Sequence, residues 1–335
     1  MKVKITNKVV LAKLRDRAKG ALWGLIVGDC LGSPFQFGPR MDDATYRTIM
    51  DGRKEGEPFP MLPCKIFDCP PGYWTDDGSM AMCVMDSVVR NCGKLVVKDV
   101  AETFHRWYRD GYLSSKAHAF DVGGATSQAI TRFAAQGTLK NGNESTQGNG
   151  AVMRFAPTFF AAYAMTDSTA KADAMMHDIG DITHNSSVVR NDITIMADIF
   201  RRHLLKGRPT DQYSDFGIGF QDLPNGGWSV STVKAACGYF HRFSSFEESL
   251  TDAVWAGGDS DTIAAVTGQI AGSFYGYSKI PRQWVEAVKD WEKVDSLIES
   301  FLDITVGRAN EFPSLDDLPD NVVVEEDFSV GNECY

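Results

Sequence analysis

The sequence predicts an all-α protein. Apolar residues recur at three- and four-residue spacing through most of the chain, and alternating β patterns are scarce. Loops rich in Gly, Asn and Pro punctuate the periodic runs.

The elements follow in order. Ala18, Ala21, Leu22, Leu25 and Ile26 mark a first helix, and Met80, Ala81, Val84, Met85, Val88 and Val89 a later one. Helical periods also cover residues 97–109, 126–135, 152–165, 188–205, 232–243, 246–255, 263–275 and 283–302. The best strand candidate is the short run 322–324. Three long connectors stand out: residues 52–72 with five prolines, 137–150 with repeated Asn-Gly, and the glycine-rich 207–227. Loops of such length in a compact domain are more often functional than decorative. After Phe312 the chain turns acidic and loses its helical period, as a tail or surface arm would. No repeat or linker divides the rest. The expectation is a single domain over 1–312 and an arm over 313–335.

The net charge of −10 argues against nucleic acid or an anionic membrane as a partner. It leaves room for an anionic ligand beside a bound metal, which inverts the local field. Residues 1–10 carry no secretory signal pattern, and the apolar stretch 21–27 is far too short to span a bilayer. The seven cysteines form no CxxC or CxxH spacing, which disfavours zinc. An odd number of thiols without a secretion signal points to a reducing, cytoplasmic setting. Cys30, Cys83 and Cys237 fall on apolar helical patterns and read as small core residues.

Two acidic knots carry most of the functional information. They are Trp74-Thr75-Asp76-Asp77-Gly78 and Gly257-Gly258-Asp259-Ser260-Asp261-Thr262, each leading into a helical run. Clustered carboxylates repel unless positive charge lies between them. Four of them sharing a site with two divalent cations would be balanced, and oxygen-only ligands suit Mg²⁺, Mn²⁺ or Ca²⁺. Each knot taken singly also reads as a helix N-cap. The second lacks the distal Glu of an EF-hand loop.

Three further segments precede helical runs. Phe120-Asp121-Val122-Gly123-Gly124-Ala125-Thr126 offers bare N–H groups to an anion, or forms a plain turn. Gly148-Asn149-Gly150-Ala151-Val152-Met153-Arg154 lets backbone approach a ligand, with Arg154 as a contact or an ordinary ion-pair residue. Thr183-His184-Asn185-Ser186 holds a lone His that is either a site residue or a structural hydrogen-bonder.

In this order, together with Gly20 to Gly32 and Ile182-Thr183-His184, these motifs resemble the ADP-ribosylglycohydrolase family over about residues 20–276. The family includes ADP-ribosylarginine hydrolases and the hydrolase that reactivates dinitrogenase reductase. The resemblance implies an all-α, compact orthogonal bundle with a binuclear metal cleft. It implies two Mg²⁺, or Mn²⁺, held by Thr75, Asp76, Asp77, Asp259, Asp261 and Thr262. It places Gly123, Gly124 and Thr126 along phosphate and ribose. Asn149, Gly150, Met153, Arg154 and His184 would wall the ADP-ribose site, with Trp228 near the adenine. Asp121 matches an acidic position that looks catalytic in bacterial relatives.

One position departs from the pattern. Many members carry Glu where this chain has Gln36. Glutamine hydrogen-bonds but cannot accept a proton as a base. That disfavours serine-linked ADP-ribose and leaves the arginine-linked mode open, with Asp76, Asp77 or Asp121 as the proton-handling carboxylate. The expected reaction is cleavage of the C1″ glycosidic bond of an ADP-ribosylated protein, releasing ADP-ribose. Three alternatives remain: a non-catalytic ADP-ribose binder or immunity protein on the same fold, a hydrolase of another ADP-ribose derivative, and a two-metal phosphoesterase.

Overall fold

A computed structural model describes residues 8–307, apart from 167, 207, 208, 210 and 212–222. The acidic arm, the strand candidate at 322–324 and most of the 207–227 connector lie outside the described residues. Thirteen α-helices are described: α1 (Lys8–Gly32), α2 (Asp43–Met50), α3 (Asp76–Arg90), α4 (Val97–Asp110), α5 (Gly124–Gln136), α6 (Phe155–Met165), α7 (Thr169–Asp181), α8 (Ser187–Lys206), α9 (Ser229–Arg242), α10 (Phe246–Val254), α11 (Ser260–Tyr275), α12 (Arg282–Ala287) and α13 (Trp291–Thr305). No strand longer than an isolated bridge occurs among the described residues. The all-α expectation therefore holds.

The centre is an antiparallel pair, α1 against α11. Small residues recur every fourth position on α1 (Gly20, Gly24, Gly28, Gly32) and meet Gly272, Gly268, Ala264 and Ser260 on α11. A Cβ at Gly24 would overlap the carbonyl of Gly268, and one at Gly268 would overlap that of Gly24. Backbones therefore touch backbones along four turns, a spacing that side chains would forbid. Both helices are buried over most of their length, from Ala18 to Leu31 and from Ser260 to Ser273. The other helices pack around this pair, with α8, α9 and α10 on α11 and α3 and α13 on α1.

Three local expectations change. The period over 283–302 is two helices, because Val288 is extended and Asp290 takes a left-handed conformation (φ 50°). There Lys289 donates its backbone N–H to the Gly72 carbonyl (2.9 Å) and its ammonium to the Ser115 carbonyl (2.5 Å). The period hides the break, since Val285, Val288 and Val294 are all buried. The run 152–165 begins its helix only at Phe155. Helices α2 and α7 carried too weak an apolar pattern to be anticipated: α2 buries no residue, and both start on a polar cap, Asp42 and Ser168.

The central pair generates a test. Gly268→Ala forces two backbones apart and should cost about 2–3 kcal/mol of stability, read as a lowered urea midpoint. Gly226→Ala, which meets open space, should shift it by less than about 0.5 kcal/mol.

Candidate active site

The site begins at a charged residue inside an apolar helix. Asp29 of α1 is completely buried. Its carboxylate accepts the Thr75 N–H at 2.9–3.0 Å and the Gly78 N–H at 2.9 Å. It thus caps α3 from another helix, taking the N–H that a local cap residue would normally take. Thr75 occupies the N-cap position but makes no side-chain capping bond. The local N-cap reading of this knot gives way to a remote cap. The consequence is chemical: the side chains of the first knot stay free for other work.

The two knots meet. Thr262 Oγ1 lies 3.4 Å from Asp77 Oδ1 and 3.4 Å from Asp259 Oδ1. Asp121 and Asp259 both lie close enough to Asp261 for their charges to add to burial in raising its pKa. Three oxygens in this cluster are buried without any hydrogen-bond partner: Thr75 Oγ1, Asp77 Oδ2 and Asp261 Oδ1. Buried polar atoms in folded proteins are nearly always satisfied. Three orphans of one chemical type, in one cluster, fit the donor set of a hard divalent cation. Among the described residues no three acidic, imidazole or thiol groups are already drawn into ligating geometry, so the fit rests on these orphaned oxygens.

Above the cluster lies a cleft of about 380 Å³. Its walls include Asp76, Asp121, Gly123, Gly124, Thr126, Asn149, Gly150, Met153, His184, Asp259, Asp261 and Thr262. Twelve of the anticipated residues thus share one surface. Thr75 and Asp77 lie buried in the cluster and do not line the cleft. Gln36 is buried against Asp121, donating Nε2–H to Oδ2 at 2.8 Å. Asp121 itself sits in the left-handed region (φ 55°). Trp228 stands exposed and pairs its backbone with Gly148 in an isolated bridge.

Arg154 is not in the wall. It is buried and donates to the Gly150 carbonyl and, at 2.6 Å, to Thr183 Oγ1, with its guanidinium over the Phe104 ring. Burial lowers its pKa, and Asp76 and Asp77 oppose that shift. Thr183 Oγ1 in turn lies 2.7 Å from His184 Nδ1. The guanidinium only donates, which leaves the threonine hydroxyl proton free to go to Nδ1; in that arrangement the imidazole carries its own proton on Nε2. Burial, with the Arg154 charge adding to it, pushes the His184 pKa down to about 3, so the ring is neutral. Gly150 must be glycine here, since a Cβ would fall 2.6 Å from the imidazole Cε1. Asn149, between Gly148 and Gly150, donates to Asp259 at 2.5 Å and Thr232 at 3.0 Å.

Asp29, Thr183 and Phe37 extend the set anticipated from sequence. Asp29 had a signal, a lone carboxylate in a helix otherwise apolar from Ala21 to Leu31. Phe37 lines the cleft and had none.

Burial, then mutual repulsion, raises the pKa of Asp77 well above 3.8, and Asp76 and Asp261 behave alike. Burial outweighs the bonds from Gly78 and Thr75 and brings Asp29 to about 7. The folded chain therefore binds these protons more tightly than the unfolded chain. The resulting stability is complete below the ordinary value of 3.8 and is lost as pH rises through the raised values. In a chelating buffer, unfolding free energy should fall by about 3 kcal/mol between pH 5 and pH 8. Asp29→Asn should flatten that slope in urea titrations.

A profile of the ADP-ribosylglycohydrolase family matches residues 11–216 and 196–311. The chain is 31% identical over 306 residues to the ADP-ribosylarginine hydrolase Tri1 of Serratia proteamaculans, covering 85% of this chain and 78% of that protein. It is 32% identical over 325 residues to Tri1 of Pseudomonas putida, with 90% and 81% covered. The ADP-ribosyl-[dinitrogen reductase] glycohydrolase of Rhodospirillum rubrum is 28% identical, with 81% and 90% covered. A solved structure, described as an ADP-ribosylglycohydrolase-related protein complex, superposes with a TM-score of 0.69 at 29% identity, covering 88% of this chain and 99% of that one. With the two acidic knots facing each other beneath one cleft, this chain belongs to the ADP-ribosylglycohydrolase family.

Proposed function

We propose that this protein hydrolyses the C1″ N-glycosidic bond between ADP-ribose and an arginine side chain of a modified protein. The observation that carries the reading is the meeting of Asp77 and Thr262 beneath the cleft, in a cluster that holds orphaned oxygens. The family and the names of the Tri1 relatives support it.

Two Mg²⁺, or Mn²⁺, fit the cluster, with Thr75, Asp76, Asp77, Asp259, Asp261 and Thr262 as the residues that would hold them. When bound, they would neutralise the carboxylates and supply Lewis acidity toward the ribose hydroxyls and water. The chain's own residues do the rest. Stretching of the C1″–N bond leaves positive charge on the sugar, which the carboxylates lining the cleft, Asp76 and Asp121, would stabilise. Asp121 is the carboxylate placed to move a proton between water and the leaving guanidine. Its left-handed backbone and the Gln36 amide hold it toward the cleft. Gln36 thereby positions the carboxylate and cannot replace it as a base.

Substrate binding follows from the walls. The N–H groups of Gly123 and Gly124 open α5, where the helix dipole favours a diphosphate. The neutral His184 offers Nε2–H, and Thr126, Asn149, Gly150 and Met153 complete the wall. Trp228, exposed beside Gly148, would cover the adenine.

Asp77→Ala and Asp259→Ala should each lower release of ADP-ribose from arginine-linked substrate by at least about 100-fold, with helical content kept. EDTA should abolish wild-type release and Mg²⁺ restore it. Full turnover in EDTA would exclude the metal assignment. Tight ADP-ribose binding without release in Mg²⁺ and in Mn²⁺ would favour a non-catalytic binder.

A further inference from the structure

We infer that Phe37 is a specificity-determining residue of this site, an aromatic platform for the guanidinium of the modified arginine. The inference rests on the proposed reaction and adds the element that recognises the leaving side chain.

Phe37 is 67% exposed, although Gln36 beside it is buried and Asp121, which Gln36 holds, faces the same cleft. Its backbone is left-handed (φ 59°), which a bulky residue avoids. Two backbone bonds hold it there: its own N–H to the Gly258 carbonyl (2.5 Å) and the Gly258 N–H to the Gly38 carbonyl (2.9 Å). Both bonds run to Gly258, within the second acidic knot, so Phe37 is fixed to the same loop that presents Asp259 and Asp261. Scattered exposed aromatics need no explanation. A strained one, tied to the carboxylate loop and lining the cleft, does.

The chemistry selects the ligand. An exposed aromatic face at the cleft wall holds a planar, weakly hydrated guanidinium better than an ammonium or a neutral hydroxyl. Gln36 adds no charge at this end. The leaving group these features accommodate is an arginine side chain.

The test compares wild type, Phe37→Ala, Phe37→Leu and Phe37→Tyr on arginine-linked ADP-ribose with Mg²⁺, alongside calorimetric titration with free ADP-ribose. Phe37→Ala and Phe37→Leu should each raise KM for the arginine-linked substrate by about 5- to 30-fold, and Phe37→Tyr by less than about 3-fold. Free ADP-ribose, which lacks the guanidinium, should bind all four proteins alike. An unchanged KM in Phe37→Ala and Phe37→Leu overturns the inference alone. So does a parallel loss of ADP-ribose affinity, which would mark a merely structural ring. Absence of turnover by wild type overturns the proposed reaction and the inference with it.

Discussion

The backbone-to-backbone contact of α1 with α11 is the constraint on which the site depends. Glycines at every fourth position of α1 remove the side chains that would hold the two helices apart. At the end of this seam, Gly32 lies against Ser260 and Asp261, and Ser260 donates to the Gly32 carbonyl at 2.9 Å. The start of α11 is thereby fixed beside Asp29, and Asp29 fixes the start of α3. One packing interface thus sets the relative position of both acidic knots. A wider crossing would separate Asp77 from Thr262.

The cluster so assembled is costly for a folded protein. Buried carboxylates without counter-charge strongly favour their neutral forms. The chain offsets part of this with neutral donors: backbone N–H groups on Asp29, the Gln36 amide on Asp121 and the Asn149 amide on Asp259. Arg154 contributes a buried positive charge at a distance, without an ion pair of its own among the described contacts. Several oxygens are still left unsatisfied. Stability is surrendered locally where function needs unpaired ligands, and the dense apolar core around α1 and α11 sustains the loss.

The cleft walls use two different strategies. Glycines bring bare backbone close, at Gly123, Gly148 and Gly150. Against the last two stands His184, which Thr183 links to a buried Arg154 that does not touch the cleft. A residue pattern that reads as a direct ligand contact is in this case support for another residue.

Much of this protein was legible in its residues. Helical periodicity, the acidic knots and the glycine-bearing turns depend on chemistry within a few positions, and local spacing records them faithfully. The period over 283–302 misled because an apolar stripe continues through a break that Gly72 and Ser115 impose from elsewhere. The destination of each polar side chain was likewise undecidable from sequence. Thr75 looks like a cap until Asp29 takes that role, and Arg154 looks like a wall residue until burial turns it away. Sequence alone determined which groups are available: oxygen ligands, bare N–H groups and a neutral glutamine at position 36. Tertiary structure decided which of them face one another, because Asp77 and Thr262 stand 185 positions apart and meet only through the close approach of α1 and α11.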